Sequence, residues 1–323
     1  MRSISVLIPA YNEAEVVRRT YEAVSAVMSR LADRYTYEIL FTDNHSTDGT
    51  DAILREIALA DSRVRVIRFS KNFGLQPSIF TGYALCSGDA AVQLDCDLQD
   101  PPELIVDFVA AWERGYHVVY GVRRTRQEGR LMTLARRIFY RLMNRLGADD
   151  LPLDAGEFRL VDRVLIREMT RFSDYHPFLR AAIASMGFRQ IGIPYDRAPR
   201  AAGRSKFPLS SLVSFALDGI LAHSVLPLRL ATLVGLAVGA GAIVATLLFV
   251  LAKLVFGFAG STAAAAIALL VAYSLSLNAL LLGVIGEYLG RLYEQSRGRP
   301  LVIIESSINL PNAPSSIRLD GLR

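Results

Sequence analysis

The stretch Gln93-Leu94-Asp95-Cys96-Asp97-Leu98-Gln99-Asp100-Pro101-Pro102-Glu103 decides the fold of this 323-residue chain. An apolar run, Ala90 to Leu94, leads into two carboxylates one residue apart. A strand alternates its side chains, so Asp95 and Asp97 share a face and Cys96 points away. Two like charges that close repel unless a cation lies between them. Mg²⁺ or Mn²⁺ takes oxygen ligands and keeps positions open for substrate phosphates. Pro101 opens a helix at its tolerated first-turn position. The pair therefore falls where a strand ends and a helix begins, which is where open α/β sheets bind ligands. A bare Asp-X-Asp is more often a solvated acidic turn, so its meaning depends on what the rest of the chain gathers around it.

Strand and helix patterns alternate from the N-terminus to about residue 123. Ile4–Ile8, Tyr37–Thr42, Val64–Phe69, Ala90–Leu94 and His117–Gly121 read as strands. Glu13–Leu31, Asp48–Ala60, Gln76–Cys86 and Pro102–Arg114 read as helices, the second signalled by Ser46, Thr47 and Asp48. This repetition predicts a doubly wound, mainly parallel α/β sheet. No Gly-x-Gly-x-x-Gly follows the first strand, which disfavours a dinucleotide-binding dehydrogenase.

Polar groups follow each strand in turn. They are Pro9-Ala10-Tyr11-Asn12-Glu13, Asp43-Asn44-His45-Ser46-Thr47-Asp48-Gly49-Thr50, Ser70-Lys71-Asn72-Phe73-Gly74 and Asp95-Cys96-Asp97. In a parallel sheet these ends line one edge. An aromatic ring, carboxylates, amides and Lys71 then converge on one crevice, which suits a base, a ribose and metal-bound phosphates.

Hydrophobic residues make up 52% of the chain and the net charge is +5. A mean hydropathy of +0.30 calls for a search for membrane spans. Leu230 to Ala252 and Ser261 to Gly286 carry no charge and are long enough to cross the hydrocarbon core as a helical hairpin. Lys253 lies between them and can snorkel to the far interface. Arg229 before the hairpin, and Arg291, Arg297 and Arg299 after it, put both ends on the cytoplasmic side. Phe207 to Val225 reads either as an amphipathic helix on the membrane surface or as an ordinary packing helix. Leu131 to Leu146, with Arg136, Arg137, Arg141 and Arg145 between apolar residues, reads as a basic amphipathic helix facing anionic lipid rather than nucleic acid. The two cysteines, Cys86 and Cys96, imply no disulfide framework and fit a reducing compartment. The expected organisation is a cytoplasmic domain over 1–206, a surface helix over 207–225, two transmembrane helices within 226–290 and a cytoplasmic tail over 291–323.

Six motifs together carry a resemblance. They are Ile8-Pro9-Ala10-Tyr11-Asn12-Glu13, Ser46-Thr47-Asp48-Gly49-Thr50, Asn72-Phe73-Gly74, Asp95-Cys96-Asp97-Leu98-Gln99-Asp100-Pro101-Pro102, Gly156-Glu157-Phe158-Arg159-Leu160 and Gly203-Arg204-Ser205-Lys206. On these the chain resembles the family 2 glycosyltransferases of GT-A fold, and within them the polyprenyl-phosphate glycosyltransferases. Asn44-His45 departs from the Asp-Gly usual in relatives.

The resemblance implies that Pro9, Tyr11, Glu13 and Asp43 hold the nucleoside of a nucleotide sugar, with Lys71 and Asp95 on the same donor side. It also implies that Asp95, Asp97 and Gln99 bind Mg²⁺ or Mn²⁺, with Asp97 counted among the catalytic groups. The implied acceptor is a polyprenyl phosphate, whose oxygen is already anionic near neutral pH. Arginine binds phosphate bidentately, so Arg123, Arg126, Arg137, Arg200 and Lys206 are candidates for holding it. The family places 154–159 at the sugar–acceptor junction, which adds Arg159 on the acceptor side and Asp154 or Glu157 as orienting group or base. Asp154 and Glu157 also fit a helix capping box. Arg159, Arg163, Arg167 and Arg171 would then form a solvated helix face paired with Asp162 and Glu168.

The expected activity is single, inverting transfer of a sugar, UDP-linked as in bacterial relatives, to undecaprenyl phosphate at the cytoplasmic face of a bacterial inner membrane. Relatives suggest a homo-oligomer. A processive polysaccharide synthase shares the core but uses a Gln-x-x-Arg-Trp motif, whereas the single tryptophan here is Trp112 in an early helix. A non-catalytic nucleotide-sugar-binding scaffold is the other alternative, and the Asp95/Asp97 pair argues against it.

Overall fold

Strand β1 (Arg2–Ala10) is apolar on both faces, and its residues from Ile4 onward are all buried. Ile4, Val6 and Ile8 pack on one side of the sheet and Leu7 on the other. That pattern suits a central strand covered by helices on both faces. The computed structural model describes residues 1–124, 155–171, 179–198, 226–256, 262–310 and 313–317.

After β1 come α1 (Val17–Ser29), β2 (Tyr35–Asp43), α2 (Thr50–Ala60), β3 (Val64–Phe69), α3 (Leu75–Leu85), β4 (Ala90–Gln93), α4 (Leu104–Glu113) and β5 (Val118–Arg123). Then follow β6 (Ala155–Asp162), α5 (Arg163–Met169), α6 (Leu179–Ser185) and β7 (Gln190–Tyr195). The chain continues through α7 (Leu226–Phe256), α8 (Thr262–Ser296), β8 (Val302–Ile308) and β9 (Ser316–Ile317). The sheet runs β7-β5-β6-β4-β1-β2-β3-β8-β9. Its centre, β4-β1-β2-β3, is parallel as expected. On either side, β6 joins β4 and β8 joins β3 antiparallel, so the whole sheet is mixed. Helices α1, α2 and α4 bury Val24, Leu54 and Phe108 on one face. Helices α3, α5 and α6 bury Phe80, Leu165 and Leu179 on the other.

Residues 155–162 correct the expected helix and its capping box. They form β6, which pairs with both β4 and β5. The cap comes later, where the Asp162 carboxylate accepts from Val164 N at 2.8 Å and starts α5. Arg159 therefore sits mid-sheet at 4% exposure, not on a solvated face. The expectation does hold for Arg171, whose guanidinium meets Glu168 at 3.1 Å.

The segment expected as a C-terminal tail is corrected as well, because it returns to the sheet. Strand β8 adds to the edge of β3, and β9 adds to β8. Helices α7 and α8 form a separate unit. Each contains a stretch long and apolar enough to cross a membrane, Leu230–Leu248 and Tyr273–Ser296, with no residue of either stretch buried. Gly235 of α7 faces Leu281 of α8, with room there for an ordinary Cβ contact at 3.5 Å from Leu281 Cδ1. Leu131–Leu146 and Phe207–Val225 lie outside the described residues.

Candidate active site

The C-terminal ends of the parallel strands carry the polar loops. After β1, Tyr11 is 37% exposed at the edge. Asn12 follows in the left-handed region, at φ 55°. Asparagine tolerates that region because its side chain bonds locally. Here Asn12 N donates to Ser46 Oγ at 2.9 Å and Asn12 Oδ1 accepts from Thr47 N at 2.8 Å. Glu13 N donates to Thr50 Oγ1, and Ala14 N to Asp48 Oδ2. The loops after β1 and β2 are thus stitched together, with Tyr11 and Glu13 held beside the seam. Pro9 pairs in register with Thr42 on β2, just inside that edge.

Asp43, expected at the nucleoside, lies beneath this seam with no exposure. One carboxylate oxygen accepts from Ser46 N at 3.0 Å, and the other takes the Arg68 guanidinium. Asp43 and Arg68 are direct neighbours across β2 and β3. From that buried position Asp43 shapes the loop after β2. Asn44, the departure from Asp, donates to Gly74 O and accepts from Phe73 N, both at 2.9 Å. An aspartate in that place could only accept. His45 adopts φ 62°, a conformation that favours glycine. Lys71 is exposed, and its ammonium stands 5.0 Å from the Phe73 ring.

After β4 the chain turns through Asp95 to Asp100. Leu98 has φ 54°, a strained value for a bulky residue, in a turn closed by Gln99 N donating to Asp97 Oδ1 at 3.1 Å. Asp95 is partly buried. Burial, and after it the charges of Asp100, Asp97 and Glu157, push its carboxyl up to about 7 against the pull of Arg123. Asp100 is buried and anchors the turn. It accepts from Tyr195 OH and from Arg197 Nε at 3.2 Å, with Arg123 Nη2 at 3.6 Å. Arg197 Nη2 also stands 4.0 Å from Asp97 Oδ2. Gln99, expected as a third metal ligand, is tied to the loop after β7: its side-chain Nε2 donates to Ala198 O at 3.4 Å and its backbone carbonyl accepts from Ala198 N at 2.9 Å.

Beside this turn, β6 presents Glu157 and Arg159. Glu157 accepts from Arg180 Nη2 at 2.7 Å and lies 3.4 Å from Arg159 Nη2. Burial alone would raise its carboxyl, but Arg180, Arg159 and Arg123 outweigh burial and hold it below the usual range. A carboxylate held that way remains ionised and makes a weak base, so Glu157 is a fixed counter-ion. Arg159 also donates to Gly156 O at 2.9 Å. Burial pulls its guanidinium below the usual value, with Glu157 opposing. Arg159 is thus enclosed by its own chain. Arg123 is 15% exposed and borders both Asp100 and Gly156. Arg180, Arg197 and Tyr195 were not expected from sequence. Asp154, Arg126, Arg137, Arg200 and Lys206 lie outside the described residues.

Asp95, Cys96 and Asp97 lie in the turn beyond β4 and not on the strand, so strand alternation does not set their directions; Cys96 is packed in the core at 4% exposure. Its backbone carbonyl accepts from Thr20 Oγ1 at 2.7 Å. Burial pushes its thiol far up, which makes it a packing residue.

Among the described residues no three His, Cys, Asp or Glu side chains make a complete metal cage. Asp95 and Asp97 nonetheless fit a hard divalent ion of the kind that takes one or two carboxylates plus substrate phosphates. The like-charge pressure on Asp95 is the property such an ion relieves.

The family described as Glycosyl transferase family 2 matches residues 5–170. The protein named "Uncharacterized glycosyltransferase YkcC" of Bacillus subtilis (strain 168) is 39% identical over 95% of this chain and 95% of its own length. The "Bactoprenol glucosyl transferase" of Shigella phage SfV is 32% identical over 94% of this chain and 98% of its own. The crystal structure of mannosyl-3-phosphoglycerate synthase from Rubrobacter xylanophilus superposes with a TM-score of 0.49 at 17% identity, over 71% of this chain and 74% of that one. The chain belongs to glycosyl transferase family 2: it is a glycosyltransferase with a GT-A-like mixed α/β sheet.

Proposed function

We propose that this family 2 member transfers one sugar from a UDP-sugar to a polyprenyl phosphate, undecaprenyl phosphate in a bacterial inner membrane, with inversion at the anomeric carbon. The observation that carries the reading is the pairing of Asp95 and Asp97 in the turn at the mouth of β4, with buried Asp100 behind them and Arg123 and Arg197 beside them. Relatives named bactoprenol glucosyl transferase support a polyprenyl acceptor and make glucose the first sugar to test.

Tyr11 packs on the base and Glu13 accepts from ribose hydroxyls. Mg²⁺ or Mn²⁺, held by Asp95 and Asp97, supplies Lewis-acid stabilisation of the leaving diphosphate. The acceptor phosphate is itself the nucleophile and needs no strong base. Arg123 guides it, as do Arg126, Arg137, Arg200 and Lys206 from the basic segments, with Asp154 as an orienting group. Arg159 and Glu157 hold the floor between donor and acceptor. Fixed charges set before the reaction stabilise the oxocarbenium-like state without reorganising. Helices α7 and α8 anchor the enzyme as a hairpin with the sheet on the cytoplasmic side, and the working form is a homo-oligomer.

The test is incubation of the full-length protein with Mg²⁺ or Mn²⁺, undecaprenyl phosphate and a panel of nucleotide sugars. A lipid-linked monosaccharide is the expected product. A polymer would make it a processive synthase, and no product with any donor would make it a scaffold.

A further inference from the structure

Strand β8 does more than cover the edge of β3. The ladder between them shifts register: Arg68 pairs with Ser306, but Phe69 pairs with Ile304. Glu305 is the residue left over between those two pairs. A bulge of this kind re-aims the side chain it carries. Glu305 is aimed at the functional end of the sheet. Its Oε2 lies 3.0 Å from Arg68 Nε and 3.4 Å from His45 Nδ1.

Arg68 is 14% exposed and uses the rest of its fork on the loop after β2. It meets the Asp43 carboxylate, and both Nη1 and Nη2 lie 3.2 Å from Ser46 O. Ser46 in turn accepts from Asn12 N, between Tyr11 and Glu13. The guanidinium is planar, so a partner on Nε fixes the direction of both Nη groups. Glu305 thus lies at one end of an unbroken relay, Glu305–Arg68–Asp43/Ser46–Asn12, that ends at the exposed tyrosine.

We propose that Glu305 is a positioning residue: through Arg68 it sets the orientation of the Tyr11 loop and thereby the affinity for the donor nucleotide. The donor half of this statement rests on the reading of the crevice given above. It makes the segment that follows the apolar helices a working part of the donor site.

The experiment compares full-length wild type with Glu305→Ala, Glu305→Gln and Glu56→Ala. Glu56 is the control, an exposed partner of Arg18 at 2.7 Å in an ion pair outside the relay. Two quantities are read: KM and kcat for the nucleotide sugar, and amide hydrogen exchange at Asn12, Ser46 and Thr47. Glu305→Ala should raise donor KM about two- to fivefold, the range of a half-exposed ion pair, with kcat unchanged. It should also speed exchange at the three amides. Glu305→Gln, which still accepts from Arg68, should fall between, and Glu56→Ala should do neither. Unchanged exchange and KM in Glu305→Ala, equal effects in Glu56→Ala, or a fall in kcat alone would overturn the proposal. Failure of the donor reading shows separately as a wild type with no saturable nucleotide-sugar KM, and the exchange comparison then still decides the relay.

Discussion

Asp95→Asn should make the metal-free protein more stable while removing its activity, and the gain should depend on pH. The Asp95 carboxyl moves from 3.8 to about 7 on folding. At about 1.36 kcal/mol per pKa unit, holding it ionised costs the native state about 4 kcal/mol above pH 7. Because the folded value is raised, the native state keeps a proton that the unfolded chain has lost. Stability from this group is therefore full below about pH 4 and is lost as pH climbs toward 7. Between pH 5 and pH 8 the wild type should lose about 2–3 kcal/mol relative to Asp95→Asn, whose amide does not titrate. For a folded unit of this size that is a Tm difference of roughly 4–12 °C.

The assay is thermal unfolding of both proteins in chelator at pH 5 and pH 8. Mn²⁺ with a nucleoside diphosphate should then close the gap by stabilising only the wild type. A gap that does not change with pH, or a wild type that is the more stable at pH 8 in chelator, would refute the raised Asp95 carboxyl, which burial and the neighbouring carboxylates account for. Full transfer activity in Asp95→Asn, or in wild type with chelator, would remove the metal from the mechanism.

Glu157→Gln leaves Arg159 and Arg180 buried without their counter-ion and should cost about 3 kcal/mol in unfolding experiments at pH 7. The folded value of Glu157 is lowered, so its contribution is present above the ordinary glutamate range and fades as pH falls; the penalty should shrink on acidification. Gly121→Ala places a Cβ 2.6 Å from Tyr195 Cε1 and should cost about 1–3 kcal/mol by pushing Tyr195 off Asp100; an unaltered Tm would show that the ring moves freely. Cys96→Ala should keep transfer activity, and maleimide should leave native Cys96 unlabelled; rapid labelling would contradict the burial of the thiol.

The strands and their ends could be read from sequence because each is a short apolar run closed by polar turn residues. Val64–Phe69 is found with the bounds expected. Asp95 and Asp97 were legible for the same reason. Arg159 was not: Arg159, Arg163, Arg167 and Arg171 recur every four residues, and that spacing mimics a helix. The first lies on β6, and Arg163 only opens α5, donating to Gly88 O at 2.7 Å. The Asp43–Arg68 pair has no local signal, because the two lie 25 positions apart and meet only through the register of β2 and β3. Strand β8 carries little signal in the sequence because Val302 is its single fully buried residue. Its burial alternates along Val302–Ile308, and most of its alternate positions are polar or half-exposed. Arg180 and Arg197 carry no local signal at all, since their meaning comes from carboxylates supplied by β6 and by the turn after β4.

Those unexpected arginines set a condition on how the enzyme must work. Around the turn, Asp95, Asp97, Asp100 and Glu157 face Arg123, Arg159, Arg180 and Arg197, four formal negative charges against four positive. The described part of the site is thus close to neutral before any substrate arrives. A nucleoside diphosphate and a phosphate acceptor each bring further negative charge into a place where the carboxylates already crowd Asp95. The donor must then bring compensation with it, which is the part a divalent ion on Asp95 and Asp97 plays. The acceptor needs cations in addition to Arg123, and the basic segments containing Arg126, Arg137, Arg200 and Lys206 are where the chain holds them. Two separable losses follow. Removing charge at Arg200 or Lys206 should raise the KM for the lipid acceptor and leave donor binding intact. Removing Arg197 should loosen Asp97 and Asp100 and so weaken donor and metal together. Titration of each variant with nucleotide sugar and with short-chain polyprenyl phosphate tells the two apart, and a selective loss of donor binding in Arg200→Ala would show that the charge is not divided in this way.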